Sequence, residues 1–352
     1  MDPLHDQNSR GFASDNYAGV HPEVLAALAA ANDGHQIAYG DDVYTERLAA
    51  TMREQFGERA EVFPVFNGTG ANVTALTALV PRWGAVVASS TAHIHSDEGG
   101  APEKVAGLKL FPVDTPDGKL TPELIATQAW GFDDEHRAQP AAVSITQTTE
   151  LGTLYTPAEV RAIADFAHAH DMTLHLDGSR IWNAAAALGV PFREFTTDAG
   201  VDVLSFGGTK NGLLGAEAIV VLNPDAAAGL IRLRKSFMQL GSKMRFMSAQ
   251  LLALFDGGLG LASASHANAM AARLRGALEE LGLPGLSFSQ QTQANAVFAV
   301  LPNDAADRVR ARYRFYDWDR AAGQVRWMCS FDTTEADVDG FVEAVREELT
   351  RA

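Results

Sequence analysis

Apolar residues in this chain fall into short blocks rather than long stripes. β-rich runs lie at 62–66, 85–89, 108–113, 141–146, 172–176, 201–206 and 218–222. Helical spacing fills most of the gaps, at 70–80, 121–129, 157–170 and 179–188. Runs such as Ala218 to Leu222 are apolar throughout, as strands are when helices cover both faces of a sheet. The alternation predicts an α/β fold with a mainly parallel, seven-stranded sheet. Residues 1–20 read as an extended arm. Pro22 then opens a helix to about Asn32, and a loop from Asp33 to Asp42 leads into a second helix ending near Phe56.

The last third changes character. Residues 225–281 are mostly helical, with a break near Gly257-Gly258. Strands are expected at 296–301 and 324–330 and a final helix at 334–350. This predicts a smaller α+β domain, with an arm at 1–20, a large domain at 21–255 and a small domain at 256–352.

Composition narrows the function classes. A formal charge of −16 argues against nucleic acid or an anionic membrane as partner, since both attract basic patches. Cys329 is the only cysteine, so no internal disulfide can form and a cytoplasmic location is expected. Met1 to Arg10 is polar and has no apolar signal core. No uninterrupted apolar run is long enough to cross a bilayer. Nothing in the sequence indicates a bound metal.

Candidate chemistry gathers at the ends of the β-rich runs. Lys210 stands in Ser205-Phe206-Gly207-Gly208-Thr209-Lys210-Asn211-Gly212. An unpaired ammonium is costly to bury, and the glycines let other groups come close, which points to an amine kept for chemistry rather than a lysine snorkelling out of a loop. Asp177 ends an earlier strand, in Leu174-His175-Leu176-Asp177-Gly178-Ser179-Arg180. It can cap the next helix or lie under a ring, with Arg180 three residues on at the rim. A buried acid and a buried lysine, each ending a strand, fit a pyridoxal phosphate (PLP) site. The lysine holds the aldehyde as a Schiff base and the acid keeps the ring nitrogen protonated. Gly68 and Thr69, in Asn67-Gly68-Thr69-Gly70-Ala71-Asn72, offer a phosphate cup at a helix start, or a plain strand-to-helix turn. His93 can stack on a flat ring or sit as a satisfied loop histidine. Arg326 has apolar neighbours on a strand and needs an anion there, from substrate or from the protein itself.

Together these segments resemble the threonine aldolase branch of the fold type I PLP enzymes, close to the low-specificity L-threonine aldolases of bacteria. The resemblance rests on Ser14-Asp15-Asn16-Tyr17, Ala38-Tyr39-Gly40-Asp41-Asp42, Phe66-Asn67-Gly68-Thr69, Thr91-Ala92-His93, and the two segments that hold Asp177 and Lys210. It implies that Lys210 carries the cofactor, Asp177 pairs with the pyridine nitrogen, His93 stacks, and Gly68 and Thr69 hold the phosphate. It also implies that Ser14, Arg180 and Arg326 hold the substrate carboxylate. The family's homotetramers, dimers of dimers, put Tyr39 and Arg245 within reach of a neighbouring subunit's site. Two departures stand out. The arm reads Ser14-Asp15-Asn16-Tyr17-Ala18 where many members have Ser-Asp-Thr-Val-Thr. Glu150 stands near the position of a histidine often proposed to touch the substrate hydroxyl.

The resemblance implies cleavage of the Cα–Cβ bond of L-threonine, L-allo-threonine and related β-hydroxy-α-amino acids, giving glycine and an aldehyde. His93 or Glu150, directly or through a water, is the expected base. The alternatives are an aldolase preferring phenylserine-type substrates, a β-eliminating lyase or aminotransferase on the same scaffold, a non-catalytic relic, and a nucleotide-binding protein using the 67–72 turn.

Overall fold

The computed structural model describes residues 2–351. Seven strands form the large sheet: β1 (Glu61–Val65), β2 (Gly84–Ser89), β3 (Lys109–Val113), β4 (Gln139–Thr146), β5 (Thr173–Gly178), β6 (Val203–Phe206) and β7 (Glu217–Val221). Their order is β1-β7-β6-β5-β4-β2-β3. Neighbours from β6 to β3 pair in parallel, whereas β7 is antiparallel to both β1 and β6. The reason lies in the connection. Residues 207–216 hold no crossover helix, and a chain that short can only turn back on itself.

All seven expected strands are present, shifted by a residue or two at their ends. The helix expected at 179–188 runs Ile181–Leu188, because Asp177 and Gly178 still belong to β5 and Arg180 is the residue before the first turn. The helix expected at 121–129 is shorter, Pro122–Ala126. The sequence reading missed the one-turn helices His93–Ser96 and Ala101–Lys104, which are too short to show a 3.6-residue period.

Side-chain parity decides what each face of the sheet carries. Leu174 and Leu176 of β5 and Leu204 and Phe206 of β6 point into one core, together with Phe56, Trp182 and Phe192. Trp182 meets Phe192 edge-on at 5.0 Å, and Phe206 stacks on Phe255 at 5.9 Å. Val86, Ala88 and Val203 point to the opposite face, against Ala71, Ala75 and Leu76 of the helix Gly68–Leu79. His175 and Asp177 alternate with the two leucines of β5, so they lie on the side where that helix packs. Asn72 of the helix donates to Asp177 Oδ2 at 2.8 Å.

The second sheet is antiparallel, in the order β10 (Tyr316–Asp319), β11 (Gln324–Met328), β9 (Ala296–Val300), β8 (Ser287–Phe288). β8 and β10 were not foreseen, nor was the helix Asn303–Arg310. The arm is tied to this sheet. The Phe12 amide donates to the Arg314 carbonyl at 2.7 Å, the Phe12 carbonyl accepts from the Met328 amide at 2.8 Å, and the Phe12 ring packs on Phe341 at 4.3 Å.

The helical run Arg245–Leu281 is long and apolar enough by composition alone to cross a membrane. It is instead a core element. Gly257, at φ 57°, breaks it, and Leu251, Leu254 and Ala264 are fully buried in the first core.

Phe206 joins that core to the Lys210 loop. Phe206→Ala is expected to lower unfolding stability by about 3–5 kcal/mol, through lost transfer energy and a residual cavity. Urea denaturation of the variant against the parent measures it.

Candidate active site

The carboxyl ends of β1, β2, β4, β5 and β6 meet at one edge of the large sheet, where ligands bind in open α/β sheets. Register sets the centre. Asp177 lies opposite Thr146 of β4 and Ser205 of β6. Two residues earlier, the buried imidazole of His175 bridges Ser144 Oγ at 2.9 Å and Ser205 Oγ at 3.0 Å. Burial holds His175 down at about 4, so it is neutral and serves as a strut beneath Asp177.

The Lys210 loop is clamped from several sides. A Cβ on Gly207 would stand 2.5 Å from the Ser179 carbonyl oxygen, so only glycine lets the loop lie this close to the turn after Asp177. Gly212 has φ +89° and faces the His21 ring. Trp182 Nε1 donates to the Gly207 carbonyl at 3.0 Å, and the Gly208 amide donates to Glu217 Oε2 at 2.6 Å. Because β7 runs against its neighbours, its first residue, Glu217, comes to the active edge. Lys210 Nζ makes no hydrogen bond or ion pair among the described residues. Burial, with the Arg180 charge added, holds the ammonium below the usual lysine range, while Asp15, Asp177 and Glu217 partly offset this.

A cavity of about 250 Å³ opens here, lined by Lys210, Asp177, His93, Gly68, Thr69 and, from the arm, Asn16. At the start of the helix Gly68–Leu79, Asn67 Oδ1 caps the Gly70 amide at 2.7 Å. The Gly68 and Thr69 amides are left without a protein acceptor among the described residues. Five of the residues singled out by sequence thus share one cavity.

The others stand around it. Arg180 is not free at a rim, as sequence alone suggested. Its Nε and Nη2 grip the Asp15 carboxylate at 2.7 and 2.9 Å. Burial alone would raise Asp15, but Arg180, with Lys210 and Asn295 added, holds the carboxyl below its ordinary range. Ser14 Oγ accepts the Asn16 amide at 3.2 Å, beside that pair. Arg326 Nη2 donates to the Ala13 carbonyl at 3.2 Å, its buried Nε is unpaired, and no carboxylate bridges it among the described residues. Burial and the charge of Arg180 push it down to about 10.

Glu150 lies behind His93 rather than in the cavity lining. Its Oε1 accepts from the His93 amide at 2.8 Å and from Thr146 Oγ1 at 2.9 Å. Burial, then the charge of Asp177, pushes it up to about 7. Tyr39 and Arg245 do not reach this chain's cavity. Tyr39 is 51% exposed at φ 64°, and Arg245 donates to the Asn32 and Gly34 carbonyls.

Comparison with known proteins agrees with this geometry. Residues 11–302 match the family model of beta-eliminating lyases. The chain is 42% identical to the low specificity L-threonine aldolase of a Pseudomonas species, over 96% of this chain and 97% of that one. Identity to the enzyme of the same name from Pseudomonas aeruginosa is 43%, over 97% and 96%. The solved structure of Leishmania major threonine aldolase superposes with a TM-score of 0.91 at 28% identity, covering 97% of this chain and 100% of that one. The chain belongs to the threonine aldolase branch of the beta-eliminating lyase family.

Threonine aldolases depend on PLP, and the residues here fit it. A lysine short of any partner, two free amides at a helix start, an acid aimed along the same edge and an imidazole share one cavity. Four residues that pack around this cavity had no role assigned from sequence. Asp15 and Asn72 lay inside quoted segments, adjacent to Ser14 and to the phosphate turn. Glu98, five residues past His93, accepts from His93 Nδ1 at 3.0 Å. Glu217 was signalled only by a lone charge opening an apolar run, 217–222.

The shift of Glu150 makes a pH prediction. A carboxyl raised from 4.5 to about 7 stays neutral in the folded chain while the unfolded chain ionises. Its contribution to stability therefore falls as pH rises through that window and levels off above it. Glu150→Gln keeps an acceptor oxygen and cannot ionise. Its melting temperature relative to the parent is expected to climb between pH 4.5 and 7, read by thermal scans across that range.

Proposed function

We propose that the chain cleaves the Cα–Cβ bond of L-threonine, L-allo-threonine and related β-hydroxy-α-amino acids, releasing glycine and an aldehyde. The observation that carries this reading is the unpartnered Lys210 amine in one cavity with Asp177 and His93, in a chain 42–43% identical to enzymes named for that reaction. When bound, PLP supplies a sink for the electron pair left at Cα.

The chain's own residues do the rest. Lys210 would hold the cofactor through Nζ, and burial, which lowers the pKa of that amine, favours the uncharged form this needs. Asp177 accepts from Asn72 and from the Ser179 amide at 3.0 Å, which fixes its carboxylate where it would pair with the ring nitrogen. The free amides of Gly68 and Thr69 take the phosphate. His93, in the same cavity lining, would pack against the bound cofactor.

Arg326, short of an anion, takes the substrate carboxylate with the outer edge of Arg180 and the Ser14 hydroxyl. Fixing the carboxylate would orient the substrate and so select the Cα–Cβ bond for cleavage. His93 takes the β-hydroxyl proton. Glu150 Oε1 already serves two donors, so Glu150 supports the His93 backbone and tunes its surroundings.

The enzyme works in the cytoplasm as a homotetramer, a dimer of dimers, without nucleic acid or membrane partners. Two observations support this. Cys329 is a free, buried thiol. Ile37, Tyr39 and Val43 form an apolar stretch that one copy leaves 70%, 51% and 56% exposed, as expected of a surface that another copy covers.

The test is a visible absorbance spectrum before and after L-threonine, with glycine and acetaldehyde assayed in the same tube. A band that shifts with substrate alongside equimolar glycine and acetaldehyde is expected, with both lost in Lys210→Ala. Arg326→Ala is expected to raise KM for L-threonine roughly 10- to 100-fold, as the loss of charge-assisted hydrogen bonds worth about 1.5–3 kcal/mol. His93→Asn is expected to lower kcat by about 10²–10⁴-fold. A PLP band with turnover of phenylserine but not threonine, or with a keto acid and ammonia as products, overturns the substrate or the reaction assigned.

A further inference from the structure

Behind the cavity a buried chain of hydrogen bonds joins the imidazole of His93 to the carboxylate of Asp177. Asn72 is its middle link. Its Nδ2 lies 2.9 Å from Glu98 Oε1 and 2.8 Å from Asp177 Oδ2, and its Oδ1 is buried with no partner. The amide can lie only this way round. Flipped, its oxygen would face two carboxylate oxygens with no hydrogen between them. Both hydrogens of Nδ2 are therefore committed, one to each acid.

Glu98 Oε1 accepts from Asn72 and also meets His93 Nδ1, 3.0 Å away. Imidazole is a stronger base than a carboxylate, so the hydrogen between them rests on Nδ1. Glu98 is 7% exposed, and its other oxygen is buried without a partner. A carboxylate held so incompletely satisfied weakens a core unless it has work to do.

We propose that Glu98 and Asn72 are positioning residues that hold His93 in the tautomer with its hydrogen on Nδ1, leaving Nε2 as the ring's one lone pair to accept the substrate hydroxyl proton. Asn72 also couples the two ends of the chain, since it donates at once to the acid for the ring nitrogen and to the partner of the base. Glu98 and Asp177 favour the imidazolium, Lys210 from the loop after β6 opposes it, and Glu150 from the turn after β4 engages the His93 backbone amide. The net effect, led by the hydrogen bond to Glu98, raises His93 above its ordinary range. The role of Nε2 rests on the aldolase reading, whereas the tautomer does not.

The test is a nitrogen NMR titration of the holoenzyme with 15N-labelled histidine, with the His93 signals identified by their loss in His93→Asn. The expected result is a hydrogen-bearing Nδ1 and a bare Nε2 in the neutral form. In Glu98→Gln the midpoint should move to lower pH. The acid limb of kcat/KM should move with it, because a less basic imidazole stays deprotonated further into acid. A neutral His93 with its hydrogen on Nε2, read on the unmodified protein, overturns the proposal. So does a midpoint that Glu98→Gln leaves unmoved in a variant melting as the parent does. If Glu98→Gln does not fold, Glu98→Asp, which draws the carboxylate back from Nδ1, carries the same reading. The expected tautomer in a protein that makes no glycine from threonine would support the positioning role while removing the aldolase reaction.

Discussion

Lys210 can sit at the edge of a buried sheet because carboxylates gathered around it offset part of the cost of burying its ammonium. Asp15, Asp177 and Glu217 favour its ammonium, while burial and Arg180 oppose it. Arg180 is in turn held by Asp15 in a two-point ion pair, a geometry that a guanidinium suits and an ammonium does not. Breaking a buried pair of this kind leaves an uncompensated charge, which costs far more than the pair itself contributes. The rest of the site follows from keeping this balance. Asp15 must come from the arm, so the arm has to be fastened, and Phe12 does that by joining the second core. Asn295, from the second sheet's side, completes Asp15 at 3.1 Å. Three parts of the chain far apart in sequence meet on one carboxylate.

The antiparallel β7 shows how topology serves the same balance. In a wholly parallel sheet the beginning of each strand lies at the far edge from the ligand site. Reversing one strand brings Glu217 to the near edge, where it receives the Gly208 amide and fixes the loop that carries Lys210. The short 207–216 connection both forces the reversal and bears the lysine. Backbone direction and chemistry are set here by one segment.

The buried polar groups on the helix side of β5 are arranged on a single rule of parity. Leu174 and Leu176 feed the aromatic core, while His175 and Asp177 feed the site. A shift of one residue in register would exchange them, putting a carboxylate among Phe206, Trp182 and Phe192. The serines at 144 and 205, which flank His175, fit only the observed register. Hydrogen bonding thus specifies a pairing that hydrophobic burial alone would leave less sharply defined.

Much of this was legible from local pattern. Strand ends, the alternation of strands and helices, and the glycine-wrapped Lys210 are properties of neighbouring residues, and periodicity and turn chemistry report on neighbours. Lys210, Asp177, His93, Gly68 and Thr69 were legible for the same reason, each standing at the end of a strand where an open sheet gathers its ligands. Tertiary structure alone decided the partners. Asp15 on Arg180, Asn72 between Glu98 and Asp177, and the His93 amide on Glu150 link positions 165, 26, 105 and 57 residues apart. No local pattern encodes such distances. The direction of β7 and the strands β8 and β10 were hidden too. The first depends on how a loop closes, and the other two are short strands that become ordered only by pairing with β9 and β11.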